Sequence, residues 1–329
     1  MMRRLLAALT VLIVLAVAAG SWAFWRWNHP RLTQTHELRI APGATLARSL
    51  TTVPGLRINQ IDRLVLRVWQ RRHSLKPGIY TLPAGASLRD VLLRLTYPSE
   101  YLRLTIVEGD NMYEVARKLD TQGIVPADQF LRACRDRELV RILIGVEADR
   151  CEGFLWPETY SFAPYGSAET VLRTMVELFW RQAGPTLASA GFGRDQPQSV
   201  YRIVTLASIV EKETGAAHER PLIASVFLNR LIRGMRLQSD PTTIYGIWER
   251  FDGNLRKIDL LESTPYNTYR INGLTPTPIA NPGLAALSAA LNPQPSNYLY
   301  FVAKGSAGVH EFTETYEQHL AAIKQYQLR

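Results

Sequence analysis

The chain has 329 residues, of which 47% are hydrophobic and 20% are charged. This composition is typical of a folded protein, so it argues against an intrinsically disordered chain and leaves room for two modest domains. The formal net charge is +9, but no run of Lys and Arg with interleaved aromatic residues occurs, which argues against nucleic acid as a partner and favours an exported, anionic polymer.

The N-terminal segment contains 20 consecutive uncharged residues, from Leu5 to Phe24. A helix of that length covers about 30 Å, the thickness of the hydrocarbon layer of a bilayer. Two arginines precede the run and three tryptophans cluster at its far end, where their rings favour the interface. The pattern predicts a cytoplasmic tail over residues 1–4 and a transmembrane helix over residues 5–25. A cleaved signal peptide is the alternative, since residues 16–19 are small, although no A-x-A site is followed by polar sequence.

Residues 38–119 contain a weak threefold recurrence of a short strand, a turn marked by glycine and an amphipathic helix. The copies are LRIAPGATLARSL, YTLPAGASLRDVLLRL and LTIVEGDNMYEVARKL, with Thr45, Ser87 or Asn111 at the position of the helix N-cap. The recurrence predicts small βα units over residues 32–119. They are similar to the LysM-like segment of some cell-wall enzymes, and chance repetition of a common supersecondary unit is equally open.

Residues 120–150 carry apolar positions at helical spacing and are predicted to form a helical connector. A catalytic domain is predicted over residues 151–329, with helices over TVLRTMVELFWRQAG, SVYRIVTLASIVEKET and RPLIASVFLNRLIRGM. Residues 235–283 are rich in Pro, Gly, Asn, Asp and Thr, and their aromatic and amide content favours a structured functional loop over a disordered insert. The predicted fold class is α+β, with a transmembrane helix, small βα LysM-like modules and a mixed α+β catalytic domain.

Common catalytic signatures are missing from the sequence: it has no G-x-S-x-G, H-E-x-x-H, P-loop or G-x-G-x-x-G motif. The six histidines have no metal-ligand spacing with one another, so neither a metal nor a cofactor is predicted, and His218 and His310 are interpreted as surface or packing residues. Cys134 and Cys151 show no C-x-x-C pattern, and their spacing is equally compatible with one disulfide and with two buried thiols.

The segment ASIVEKETGAAHERP places acidic residues at the end of an apolar helix. Glu211 shares a helical stripe with Val204 and Ala207, so it projects from a face that is otherwise packed. Partial burial would raise its pKa and keep a protonated fraction for general-acid catalysis near neutral pH. An ion pair with a basic group such as Arg220 is equally compatible with the spacing, and helical periodicity does not exclude Glu213 as the acid.

The number of carboxylates separates two classes of glycan-cleaving enzyme. Glycoside hydrolases usually place two of them around the bond, and Glu219, Asp240 and Glu262 are candidates for the second. A lytic transglycosylase manages with one, which protonates the leaving oxygen and then takes the proton of the sugar's own 6-hydroxyl as that oxygen attacks C1. The residue types alone leave both classes open.

Four ordered segments resemble the YceG-like family of endolytic murein transglycosylases: ASIVEKET, IASVFLNRLIRGMRLQSDPTTIYG, STPYNTYRINGL and PIANPG. The segment EGFLWPETY and the strand-turn-helix repeats are similar to that family's N-terminal half. The resemblance implies cleavage of the β-1,4 bond between N-acetylmuramic acid and N-acetylglucosamine in nascent peptidoglycan strands, leaving 1,6-anhydro ends. It also implies a single anchor in the inner membrane, a periplasmic catalytic domain, no cofactor and peptidoglycan synthases as partners.

The resemblance assigns Glu211 as the catalytic glutamate. It assigns the surrounding substrate-binding neighbourhood to Glu213, Asn229, Arg230, Gln238, Asp240, Tyr245, Tyr266, Asn267 and Asn281. The amides suit sugar hydroxyls and acetamido groups, and the tyrosines, with Tyr269, offer flat faces to pyranose rings, although a capping or turn role is the alternative for any one of them.

One departure from the family pattern concerns Thr275 and Thr277, which stand where the family more often has Pro and Gly. Thr277 lacks glycine's access to positive φ, so the conformation of residues 279–281 is the element most open to difference.

Two rival functions are a non-catalytic peptidoglycan-binding scaffold, in which Glu211 is dispensable, and a two-carboxylate muramidase that yields reducing ends.

Overall fold

The computed structural model of the protein describes residues 2–213, 216–304 and 308–327. Short strands are interspersed among many helices, which confirms the predicted mixture of α and β structure. In chain order the helices and strands are α1 Met2–Asn28, β1 His36–Ile40, α2 Leu46–Thr51, α3 Gln60–Arg72, β2 Gly78–Leu82, α4 Leu88–Arg94, β3 Leu102–Thr105, α5 Met112–Thr121, α6 Ala127–Cys134, α7 Arg137–Ile144, β4 Thr159–Phe162, α8 Ala168–Ser189, α9 Pro197–Glu213, α10 Arg220–Ile232, α11 Asp240–Gly246, α12 Lys257–Leu261, α13 Leu284–Leu291, β5 Tyr300–Ala303, β6 His310–Thr313 and α14 Tyr316–Tyr326.

The N-terminal helix α1 is long and apolar enough over Leu9–Asn28 to cross a membrane, and this span is exposed in the protein. A membrane anchor and a signal sequence both have this length and composition. Within the described residues, Leu9–Asn28 is thus a candidate membrane span.

The chain forms two compact units, of which unit 1 comprises residues 1–102 and 161–165. In unit 1, β1 pairs antiparallel with β2, from His36 opposite Leu82 to Ile40 opposite Gly78. Leu38 and Ile40 alternate toward the core, as the two-residue period of a strand requires. Helices α2 and α3 follow β1 in the chain and α4 follows β2, and each contributes leucines to one core. The similarity of the repeats to a LysM-like segment stays a prediction.

The predicted strand-turn-helix recurrence is present in all three copies. Each copy turns at a glycine with φ between 75° and 81° and then enters α2, α4 or α5. Ser87 and Asn111 cap their helices through the side chain, whereas Thr45 makes no such hydrogen bond. The third copy lies in the other compact unit, where residues 120–150 contain helices α6 and α7 and α6 packs against α5. Strand β3 pairs with β4.

Unit 2 comprises residues 103–160 and 166–329 and has a helical core. The three helices predicted by apolar spacing are present as α8, α9 and α10, while Thr214, the last residue of the second prediction, lies outside the described residues. Helix α9 packs against α10, α11 and α13. The ring of Phe154 stacks on Tyr201 of α9 and lies tilted against Phe179 of α8. Since each fully buried large apolar side chain contributes roughly 1.5 to 3 kcal/mol, this packing holds α9 within unit 2.

Cys134 and Cys151 form a disulfide, with 4.9 Å between their Cα atoms. The bond ties the end of α6 to the segment that leads into Glu152, and the Cys151 N–H also donates to the Cys134 carbonyl over 2.9 Å. The structure thus decides between the two alternatives that the spacing of the cysteines left open. A disulfide of this kind suits an oxidising compartment.

Candidate active site

Two glutamates stand two positions apart in the last turn of α9, which places them on different sides of the helix. Two residues correspond to about 200° of rotation on an α-helix, so Glu211 and Glu213 point away from one another. Helix α9 is apolar and buried over most of its length and ends with Glu213. The sequence therefore delivers two carboxyl groups to two different environments inside unit 2.

Glu211 lies in a buried ion pair. Its side chain is 4% exposed, and its Oε1 accepts a hydrogen bond from Nη2 of Arg220 over 2.8 Å. Its Oε2 accepts from the backbone N–H of Gly283, at the start of α13, over 2.9 Å. The ion pair that the spacing left open as an alternative is thus present, and it joins α9 to the starts of α10 and α13.

Glu213 faces a cleft of about 550 Å³, hereafter the Glu213 cleft. Burial raises the pKa of the Glu213 carboxyl to about 7, against a hydrogen bond from the Ser239 hydroxyl that lowers it. The negative charge of Asp240 raises this pKa further, and the positive charge of Arg230 opposes the rise. A carboxyl with this pKa is protonated in part at neutral pH and can act both as an acid and as a base.

The Glu213 cleft is built from two distant parts of the sequence. Apart from Glu213 and Arg230, one group of lining residues comes from the stretch 237–269 and the other from the last thirty residues. The lining residues are Glu213, Arg230, Leu237, Gln238, Asp240, Tyr269, Tyr300, Phe301, Val302, Ala303, His310, Tyr316, His319, Ile323 and Gln327. A volume of this size, with aromatic faces and a few polar groups, suits part of a sugar chain.

On the first side of the cleft, Tyr269 donates from its hydroxyl to Asp240 over 2.7 Å. Gln238 adopts a left-handed backbone conformation with φ of 51°, which is uncommon for a residue other than glycine. Its backbone N–H donates to the Thr268 carbonyl, which holds it beside α11. Strained residues of this kind occur at binding sites when the surrounding structure fixes them.

On the second side, the ring of Tyr300 stacks on His319 with 5.1 Å between ring centroids. Arg230 lies 5.2 Å above the Tyr300 ring and donates to the Leu299 and Leu237 carbonyls over 2.6 and 2.7 Å. Because these carbonyls belong to opposite sides of the cleft, Arg230 connects its two walls.

His310 also lines the cleft, and its ring is oriented by a carboxylate. Its Nδ1 lies 2.7 Å from Oε2 of Glu219, and its backbone N–H donates to Oε1 of Glu219 over 2.8 Å. His310 packs edge-on against Phe301, as expected of a surface or packing residue, and it also forms part of the cleft wall. The Glu219 carboxylate is paired with this histidine, and the Glu262 carboxylate forms an ion pair with Arg250 on the surface.

The predicted substrate-binding residues fall into two groups. Glu213, Gln238 and Asp240, with Arg230, line the cleft. The other five have hydrogen-bond partners within the protein. Asn229 donates to the Ser296 and Tyr298 carbonyls. A second amide, Asn267, is fully buried and donates to the carbonyls of Asp259, Leu260 and Glu262.

Asn281 and Tyr245 meet at Glu152, a fully buried carboxyl that the sequence did not single out. Glu152 accepts from the Tyr245 hydroxyl over 2.8 Å, from the Met112 N–H over 3.0 Å and from Asn281 over 3.2 Å. Burial raises the pKa of Glu152 to about 7, although the hydrogen bonds from Met112 and Tyr245 oppose the rise. A glutamate between cysteine and glycine in an apolar segment was the signal for it.

The loop with the two threonines is fixed by their hydroxyl groups. Thr277 has no positive φ, and its hydroxyl lies 3.0 Å from that of Tyr266 and donates to the Pro278 carbonyl over 2.8 Å. The Thr275 hydroxyl donates to the Thr277 carbonyl over 2.7 Å. Glycine's freedom is thus not needed here, and residues 279–281 are held in place by side chains.

No group of three or more His, Cys, Asp or Glu residues is arranged to hold a metal ion in the part of the chain that the structure describes. The polar groups that line the Glu213 cleft are carboxyl, hydroxyl, amide, imidazole and guanidinium groups.

Comparison with known proteins gives consistent matches. Residues 38–325 match the sequence model of the YceG-like family. The endolytic murein transglycosylase of Bacillus subtilis (strain 168) is 32% identical over 265 residues, covering 76% of this chain and 72% of that protein. The protein of the same name from Streptococcus pneumoniae serotype 2 is 29% identical over 280 residues, but the chain spans only 49% of it. A crystal structure of a yceG-like protein from Listeria monocytogenes has a TM-score of 0.59 at 28% identity, covering 88% of this chain and 99% of that one.

Proposed function

Because the chain belongs to the YceG-like family, we propose that it is a lytic transglycosylase that cuts within the glycan strands of peptidoglycan. The names of its relatives support this class of enzyme. The bond is the β-1,4 link between N-acetylmuramic acid and N-acetylglucosamine, and the product carries a 1,6-anhydro end. The enzyme is anchored by α1 in the inner membrane with unit 2 in the periplasm, and peptidoglycan synthases are its partners.

The observation that carries the proposal is a carboxyl with a pKa near 7 on a cleft with aromatic walls. We assign the acid and base role to Glu213 in preference to Glu211, the residue that the resemblance favoured. Glu211 has both oxygens engaged, by Arg220 and by the Gly283 N–H, and does not line the cleft. Glu213 has the required pKa and access to a substrate.

The proposed reaction needs one carboxyl group. Protonated Glu213 gives its proton to the glycosidic oxygen, and the bond from C1 to that oxygen breaks. The resulting carboxylate takes the proton of the 6-hydroxyl of the same muramyl residue, and its O6 forms the new bond to C1. The proton on Glu213 is thereby restored, and no water enters the product.

Neighbouring groups support the two states of Glu213. The Ser239 hydroxyl orients the carboxyl, and the charge of Asp240 favours its protonated form before the reaction. The same negative charge stabilises the positive character that develops at C1. The rings of Tyr269 and Tyr300 offer flat surfaces for neighbouring sugars.

Mass spectrometry of the fragments that the full-length protein releases from uncrosslinked glycan strands tests the proposed function. We expect 1,6-anhydro ends and no incorporation of ¹⁸O from labelled water. Reducing ends that carry the label would identify a hydrolase. The absence of cleavage by folded protein would favour a peptidoglycan-binding scaffold.

A further inference from the structure

Helix α3 exposes an apolar stripe that no part of the described protein covers. Ile61, Leu64 and Val68 are 49%, 59% and 48% exposed. Their spacing of three and four residues places them on one side of the helix. Asp62 and Leu66, by contrast, are buried in unit 1. Helix α3 is thus anchored by one face and presents a second apolar face outward.

The charges on α3 are almost all positive. Arg67, Arg71 and Arg72 are exposed next to the apolar stripe. The acid of the helix, Asp62, is committed to Arg26 and Arg31, which donate to it over 2.8 to 3.0 Å. The outward face of α3 therefore combines apolar side chains with uncompensated arginines, the pattern of a helix that lies on an anionic lipid surface.

The position of α3 beside the anchor identifies which lipid surface it meets. Ile61 and Val65 line a cleft of about 290 Å³ together with Trp22, Phe24 and Trp27 of α1. Tryptophans at the end of a membrane-spanning helix lie at the level of the lipid headgroups. If α1 crosses a bilayer, the first turn of α3 is held at that same level.

We propose that α3 lies in the headgroup layer of the membrane that α1 crosses. Ile61, Leu64 and Val68 insert at the boundary of the acyl chains, and the arginines that flank them bind anionic lipid phosphates. Unit 1 is then attached to the membrane at two places, the anchor and this helix. The inference rests on the proposed anchor, but its test reports on the two separately.

The test uses single fluorescent labels on the full-length protein in vesicles of phosphatidylethanolamine and phosphatidylglycerol whose acyl chains carry a quencher. The two native cysteines are joined in a disulfide, so each introduced cysteine provides a unique thiol. Leu64→Cys reports on the apolar stripe, and Arg63→Cys on another side of the same helix. Ile13→Cys reports on insertion of α1.

We expect strong quenching at positions 13 and 64 and weak quenching at position 63. Quenching at 13 without quenching at 64 overturns the proposal and leaves the anchor intact. Quenching at 64 without quenching at 13 removes the anchor and also overturns the proposal as stated, because α3 would then bind a membrane that α1 does not cross. Equal quenching at 63 and 64 also overturns the proposal, because an apolar stripe requires a difference between sides of the helix.

The contribution of the arginines is measured by combining Arg67→Gln with the label at position 64. Since a basic residue near an anionic surface contributes about 1 kcal/mol, the ratio of docked to undocked α3 should fall about fivefold. Arg48→Gln removes the same charge from α2 and should leave the ratio unchanged. The same loss from both variants would contradict specific contact by α3. Equal quenching in vesicles of phosphatidylcholine alone would contradict the lipid-phosphate contact.

Discussion

Two carboxyl groups of unit 2, Glu152 and Glu213, both have a pKa raised to about 7 by burial, but their surroundings differ. Glu152 is fully enclosed and accepts hydrogen bonds from Met112, Tyr245 and Asn281. Glu213 opens on a cleft of about 550 Å³ with aromatic walls. A raised pKa thus measures how far water is excluded, while access to a cleft determines whether the proton can reach a substrate.

A third carboxyl, Glu211, completes the comparison. It is two residues from Glu213 on the same helix but is locked between Arg220 and the start of α13. A rotation of about 200° along α9 therefore separates a carboxyl held in an ion pair between helices from a carboxyl that opens on a cleft. Substitution of each carboxyl group distinguishes the proposed catalytic glutamate from the two structural ones.

The largest effect is expected for Glu213→Gln. Gln keeps the shape of the side chain but cannot give or take the proton, so the rate of formation of anhydro ends should fall about 10²-fold to 10⁴-fold. Turnover measured by chromatography of released fragments tests this. Glu177→Gln, on the exposed side of α8, is the matched control and should retain full activity. Full activity of Glu213→Gln would remove this residue from the mechanism.

The next effect concerns the free energy of unfolding and the ion pair between Glu211 and Arg220. Glu211→Gln leaves the guanidinium of Arg220 buried without a counter-charge, which is expected to lower the free energy of unfolding by about 3 to 5 kcal/mol. Urea unfolding followed by tryptophan fluorescence measures the change. At a temperature where this variant is folded, it should still form anhydro ends. A folded Glu211→Gln variant without activity would instead return the acid role to Glu211.

A smaller loss of stability is expected for Glu152→Gln. The amide N–H₂ of the introduced glutamine would face hydrogen-bond donors, which is expected to lower the free energy of unfolding by about 1 to 3 kcal/mol. Because the folded pKa of Glu152 is raised from 4.5 to about 7, the group contributes stability below pH 4.5 that is lost as pH rises through 7. The difference from wild type should therefore be larger at pH 5 than at pH 8. A constant difference across this range would show that Glu152 does not titrate as described.

The smallest effect is expected at the aromatic wall. Tyr300→Leu removes a flat face from the cleft and should raise KM about two- to tenfold, because such ring contacts contribute about 0.5 to 1.5 kcal/mol. Tyr300→Phe keeps the ring and should retain the wild-type KM. Steady-state kinetics on strands of defined length provide the measurement. An equal rise for both variants would assign the effect to the hydroxyl group.

The sequence was most informative where local rules decide the structure. Helical periodicity predicted α8, α9 and α10, and the glycine turns predicted all three strand-turn-helix copies. These features depend on neighbours within a few residues. Pairing of Cys134 with Cys151 depended instead on a Cα separation of 4.9 Å that spacing does not encode.

The active site was harder to predict because its walls come from distant segments. Periodicity identified Glu211 as lying on a packed face, but it left the ion pair with Arg220 as one of two alternatives. Tyr300 and His310 reach the cleft through the pairing of β5 with β6. Amide side chains such as that of Asn267 are typical of sugar-binding sites, but Asn267 is buried and donates its hydrogen bonds to backbone carbonyls.

The dependence of kcat/KM on pH tests the central claim most directly, because it reports the ionisation of the free enzyme. Reaction requires protonated Glu213, so kcat/KM should decline above about pH 7. Asp240→Asn removes a charge that raises this pKa, so the decline should begin at lower pH. A decline that starts at the same pH in both proteins, or a profile that is flat through pH 8, would contradict the assignment of Glu213 as the catalytic acid.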